Sequence, residues 1–171
     1  MSRGFLVFAL LGLLGGCAKP VDLPDRTVGA ANISEFTRFR SDLEAEYSAD
    51  RLHPFDVAIQ ELRLNAMNRD IVSPEARDAD MVAVVNGKTV QVVTLLGWEA
   101  RRDRVLHEIA EIDRTLQGDL RTRKNAGADG PSTTLLARIQ SAQNVIAQLQ
   151  RDVAETERRL AEFRTAAAMK K

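Results

Sequence analysis

Residues Ser73 to Val93 read SPEARDADMVAVVNGKTVQVV, and the fold class turns on how this stretch is taken. Asn86-Gly87 between two valine-rich runs is a strong short-range signal for a β-hairpin over residues 81–94. Three features favour helices instead. Ser73-Pro74-Glu75 is an N-cap residue followed by proline at the first helical position, where its missing N–H costs nothing. Asn86-Gly87 serves equally well as a left-handed helix C-terminus, and Thr89 can cap a helix that follows. A lone two-stranded hairpin is also barely stable in water. The favoured reading is helix, glycine stop, helix, with the β-hairpin as the alternative.

Composition agrees with a helical chain. The 171 residues are 44% hydrophobic, 28% charged and only 5% aromatic, which suffices for one domain's core and carries a helical rather than a strand bias. Lys and Arg total 24 against 24 Asp and Glu. No net field therefore favours nucleic acid or an acidic membrane surface.

Downstream of the junction the pattern is clearest. Leu95, Trp98, Arg102, Val105, Ile109, Ile112 and Leu116 step by alternating three and four residues. So do Ile139, Ala142, Ile146, Leu149, Val153, Thr156, Leu160, Phe163 and Ala167. These are two heptad seams, and RKNAGADGPSTT between them turns the chain back. The second arm, from about Ser132 to Ala168, runs roughly 55 Å at 1.5 Å per residue, and a first arm beginning at Thr89 matches it. That match supports helix over residues 90–96. Arg102 and Thr156 occupy core-type positions, which lowers stability but can fix register.

Upstream, Asn32 with Glu35 resembles a capping box, and Ile33, Phe36, Phe39, Leu43 and Tyr47 follow at helical spacing to about Ser48. Phe55, Ala58, Ile59, Leu62 and Ala66 make a second stripe, entered through Asp50 to Pro54 and ending near Asn68. Residues 18–31, AKPVDLPDRTVGAA, carry two prolines and no helical period, so they read as a flexible tether. The expected architecture is all-α: three short N-terminal helices over residues 32–88 packed on a long antiparallel coiled-coil α-hairpin over residues 89–171. Trp98 and Tyr47 are expected in the core.

The first sixteen residues have the layout of an export signal, with Arg3 at the positive end, an apolar run from Phe5 to Leu14, and Gly15-Gly16 before the cut. The run is about ten residues, half of the roughly 20 that a membrane-spanning helix needs. Leu14-Gly15-Gly16-Cys17 resembles the lipobox of bacterial lipoproteins. The resemblance implies cleavage before Cys17 and a diacylglycerol on its sulfur, and a thiol that is the only cysteine in the chain fits such a use. Several acyl chains, each burying CH₂ groups at about 0.8 kcal/mol, make a durable anchor. Ala18 after the cysteine resembles the outer-membrane default of that family's sorting pattern.

Two further resemblances concern the rest of the chain. The junction VVNGKTVQVV after a Ser-Pro-Glu helix is similar to that of small uncharacterised helical lipoproteins of bacteria, which implies location and no activity. The lipobox, the heptad helix and the terminal Lys170-Lys171 resemble murein lipoprotein, in which a C-terminal lysine is joined to peptidoglycan. That likeness makes Lys171 a candidate attachment point, although a lysine pair at a helix C-terminus is also favoured by the macrodipole.

No catalytic constellation emerges. Gly87-Lys88-Thr89 matches the end of a phosphate-binding loop, but Val82 stands where that loop needs a glycine, so no nucleotide is expected. His53 and His107 are the only histidines and neither sits in a metal-ligand cluster. The serines lack a nucleophile elbow, and Asp78 and Asp80 are expected to face water. The chain is expected to be no enzyme and to need no cofactor or metal. Its expected role is structural or protein-interacting: a lipoprotein at the outer membrane, facing the periplasm, whose hairpin meets an envelope protein or a second copy of itself. The alternative is a periplasmic chaperone-like or accessory binding module, since VAVVNGKTV is faintly similar to the start of parvulin-type chaperones.

Overall fold

The computed structural model describes residues 21–127 and 130–169. Cys17, Lys170 and Lys171 lie outside them. The fold is all-helical: α1 (Ile33–Glu46), α2 (Ala49–Met67), α3 (Pro74–Val85), α4 (Val90–Lys124) and α5 (Thr133–Ala168). Among the described residues no strand forms. A single antiparallel bridge, Thr27 to Thr89, is the only β-type pairing there.

The decisive stretch resolves into α3, a glycine turn and α4. Ser73 accepts from the Ala76 N–H at 3.1 Å, with Pro74 in the first turn. Gly87 takes φ 74°, the left-handed conformation that lets the chain leave a helix without a Cβ clash. Thr89 then accepts from the Val92 N–H at 3.3 Å to start α4. Met81, Val82, Val85, Val90 and Val93 are buried while Ala83 and Val92 are exposed. That is helical spacing, not the alternation a hairpin needs.

The short helices bury the stripes expected of them. Asn32 accepts from the Glu35 N–H at 3.0 Å, and the Glu35 carboxylate reaches back to the Ala31 N–H at 2.8 Å. Phe36 and Leu43 of α1 and Phe55, Ala58, Ile59, Leu62 and Ala66 of α2 are buried. One turn differs. Helix α2 begins at Ala49, so Pro54 sits inside it rather than in the first turn.

The tether expected over residues 18–31 is corrected from residue 22 onward. Asp22 accepts from the Leu23 N–H and opens a one-turn 3-10 helix, Leu23–Asp25. The strand-like segment after it runs along the α3–α4 junction. Val28 N–H donates to Lys88 O at 2.9 Å, Gly87 N–H to Val28 O at 2.8 Å, and Val90 N–H to Arg26 O at 2.8 Å. The side chain of Asn86 accepts from the Ala30 N–H at 3.2 Å. Leu23, Val28 and Ala30 are buried in the same core as α1 to α4. A break between two helices frees backbone groups that need partners, and this strap supplies them.

Helix α4 is the shared wall. One face carries the seam toward α5: Val105 and Leu116 are buried there, and Leu95, Trp98, Arg102, Ile109 and Ile112 are half-buried. A second face, Val93, Gly97 and Ala100, is buried against the short helices. At Gly97 the approach is so close that a methyl group would lie 2.3 Å from Ala58 Cα. Toward the tip Leu116 of α4 and Leu135 and Ile139 of α5 form a separate small cluster.

Substitution of Gly97 tests this crossing. Alanine normally gains about 1 kcal/mol over glycine inside a helix, and Gly118→Ala, with nothing within 4 Å, should show that gain in urea unfolding. Gly97→Ala should reverse the sign and cost about 1–3 kcal/mol, lowering Tm by about 2–4 °C per kcal/mol. Equal effects of the two variants would contradict the crossing.

Candidate functional site: a pinned base and a projecting hairpin

The residues weighed for chemistry in the sequence take the following places. Lys88 Nζ donates to Val84 O at 2.5 Å and Thr89 caps α4, so Gly87-Lys88-Thr89 belongs to the helix junction. Asp78 and Asp80, expected to face water, are half-buried and pair across to α2 and its end, with Arg63 at 2.7 Å and with Arg69. His107 is exposed, 3.8 Å from Glu111. His53 is exposed and lines an open concavity with Asp152, Glu155 and Arg159. Among the described residues no three His, Cys, Asp or Glu side chains converge as metal ligands would.

What the fold builds at its base is a pinned exit for the N-terminal segment. Tyr47 Oη donates to Val21 O at 2.7 Å, and Arg51 lies over the Tyr47 ring at 5.1 Å while pairing with Asp22 at 2.7 Å. Arg26 pairs with Glu46 at 2.8 Å. Tyr47 was expected in the core; it is half-buried and its hydroxyl holds the strap. Next to it Leu23, Pro24, Pro54, Phe55, Val90 and Phe163 line an apolar cavity of about 140 Å³. The strap, the start of α2, the start of α4 and the end of α5 therefore meet at one end of the molecule.

A buried carboxylate locks α2 to α4 just above. Glu61 is 4% exposed and accepts from Arg104 Nε and Nη2 at 2.8 and 2.9 Å, and from Arg101 at 3.2 Å. A bidentate guanidinium is the geometry that best offsets the loss of water around a buried carboxylate. The hydrogen bond with Glu61 raises Arg104 above the ordinary arginine value in spite of its partial burial. Trp98 Nε1 donates to Pro54 O at 3.0 Å, its ring meets Phe163 edge-on at 5.7 Å, and Arg101 stacks on it at 5.7 Å. Sequence reading passed over Glu61, although its place three residues after Ala58 and beside Leu62 puts it at the margin of the apolar stripe.

The hairpin has its own fastenings. Near the tip Arg138 pairs with the buried Asp119, Nε to Oδ2 at 2.6 Å, which draws the Arg138 guanidinium above its ordinary value. Thr156 in the seam is 1% exposed, and its hydroxyl donates to Asp152 O at 2.7 Å within its own helix. Arg102, half-buried at its seam position, pairs with its neighbour Asp103 at 2.7 Å.

No protein family, curated protein or solved structure matches this chain. Among the described residues no helix is long and apolar enough to cross a membrane.

The Glu61 brace yields a double-substitution test. Arg104→Met leaves a buried carboxylate with Arg101 alone and should cost about 2–3 kcal/mol in urea unfolding; Glu61→Leu/Arg104→Met together should recover most of it, because a buried pair seldom outperforms apolar packing. Additive losses in the double variant would show that the two side chains do not act together.

Proposed function

We infer that the protein is a non-enzymatic, lipid-anchored component of the bacterial cell envelope, held through Cys17 and presenting the α4–α5 hairpin for interaction. The lipobox Leu14-Gly15-Gly16-Cys17 supports the anchor, and Ala18 supports the outer membrane with the body facing the periplasm. The carrying observation is geometric: Val21, the first described residue, is held by Tyr47 at the end of the fold opposite the hairpin tip.

Two distances follow. Three residues, 18–20, lie between Cys17 and the pinned Val21, a span of at most about 14 Å, so a lipid on Cys17 would keep the base close to the bilayer. Helix α4 has 35 residues, which carries the tip about 52 Å away from that base. The Tyr47 hydrogen bond to Val21 and the ion pairs of Asp22 with Arg51 and Arg26 with Glu46 tie an anchor at Cys17 to the body. A covalent link at Lys171 is not part of this reading.

Globomycin, which blocks lipoprotein signal cleavage, should make the uncleaved precursor accumulate, and Cys17→Ser should move the protein from the membrane pellet to the soluble fraction. Mass spectrometry of the mature N-terminus should find acyl chains on residue 17. Normal processing under globomycin together with an unmodified thiol would overturn the reading.

A further inference from the structure

The outer half of α5 differs from its inner half in charge. Ser132 to Gln150, STTLLARIQSAQNVIAQLQ, holds one charged residue, Arg138, and its guanidinium is engaged by Asp119. The next fourteen residues, Arg151 to Arg164, hold eight charged residues, tied into pairs such as Arg159 with Glu155 at 3.1 Å and Arg164 with Glu99 at 2.7 Å. The uncharged stretch lies beside the outer part of α4, where Leu135 and Ile139 cluster with Leu116 and Arg138 meets Asp119.

This uncharged surface is open and partly apolar. Ala137, Ser141, Asn144 and Gln148 repeat at four- and three-residue spacing on the side of α5 away from the seam, and all are exposed. Leu136 and Val145 flank that line at 41% and 42% exposure. Removing such a face from water dehydrates no unpaired charge, and the small residues let a second helix come near.

We propose that a second copy of this chain covers it, with α5 running parallel to its counterpart over residues 132–150. A two-fold contact sets each residue against its own copy. Amides such as Gln140, Asn144 and Gln148 donate as well as accept, so they can pair with themselves, whereas the Arg151 to Arg164 surface would set like charges together. Pairing therefore stops near Gln150, and the bodies stay apart below it. The proposal rests on the anchored reading for its orientation: two copies held at the same end in one membrane plane project in parallel, and confinement raises their effective concentration.

Because the sulfur of Cys17 is acylated in that reading, one introduced cysteine is the only free thiol. In membranes containing the full mature protein, Asn144→Cys should give a disulfide-linked dimer under copper-phenanthroline oxidation, about tenfold more than Glu157→Cys, since bridging needs Cβ atoms about 4 Å apart. Adding Ser141→Glu to Asn144→Cys should remove the dimer while circular dichroism stays helical. Equal cross-linking of the two cysteine positions, or none at either, overturns the pairing. Membrane fractionation of the same samples reports anchoring separately, so loss of the anchor is distinguishable from loss of the dimer.

Discussion

The approach of α4 to α2 at Gly97 and Ala58 is the constraint on which the other contacts depend. Only a residue without a side chain lets the two backbones come this close, and that closeness places the next turns. It brings Trp98 within 3.0 Å of Pro54 O and Arg101 and Arg104 onto Glu61. It also turns the opposite face of α4 toward α5, so one helix serves as wall for the short-helix body and as first arm of the hairpin. Helix packing distance is set by the side chains at the crossing point, and here the crossing has none on one side.

A second constraint arises from stopping a helix in the middle of a core. Ending α3 at Asn86 and starting α4 at Val90 exposes backbone donors and acceptors that cannot be left unpaired. The strap from Arg26 to Ala30 satisfies them and buries Val28 at the same time. The strap over residues 22–30 is thus a structural member of the fold. A structure without the strap would have free backbone groups and a hole at Val28.

Charge is organised by place. In the body, carboxylates and guanidiniums join helices to one another, as Arg40 with Asp56 at 2.5 Å and Arg63 with Asp78 at 2.7 Å do. Along the inner half of α5 they pair largely within the helix, where each exposed pair contributes little but keeps the surface hydrated. The outer half of α5 keeps one such pair, Arg138 with Asp119 of α4, and carries no other charge. A face that gives up its charges gives up solubility as well, and that trade has a physical use when another helix replaces the water.

Much of the fold was legible from local chemistry. The capping residues Asn32, Ser73 and Thr89, the stop at Asn86-Gly87 and the seams of α4 and α5 act over one to four residues or one helical period, so the amino-acid order alone determined where helices begin, end and turn back. The residues of both seams came out buried or half-buried. What only the tertiary structure decided depends on partners far apart in the chain. The strap has no period and its hydrogen bonds reach residues about 60 positions on; the second face of α4 is defined by Ala58; Glu61 becomes a brace only because Arg101 and Arg104 arrive from another helix. The sequence alone also determined the candidate anchor at Cys17, because a lipobox is a local pattern. That Val21 lies at the base of the fold, opposite the hairpin tip, was decided by its packing against Tyr47.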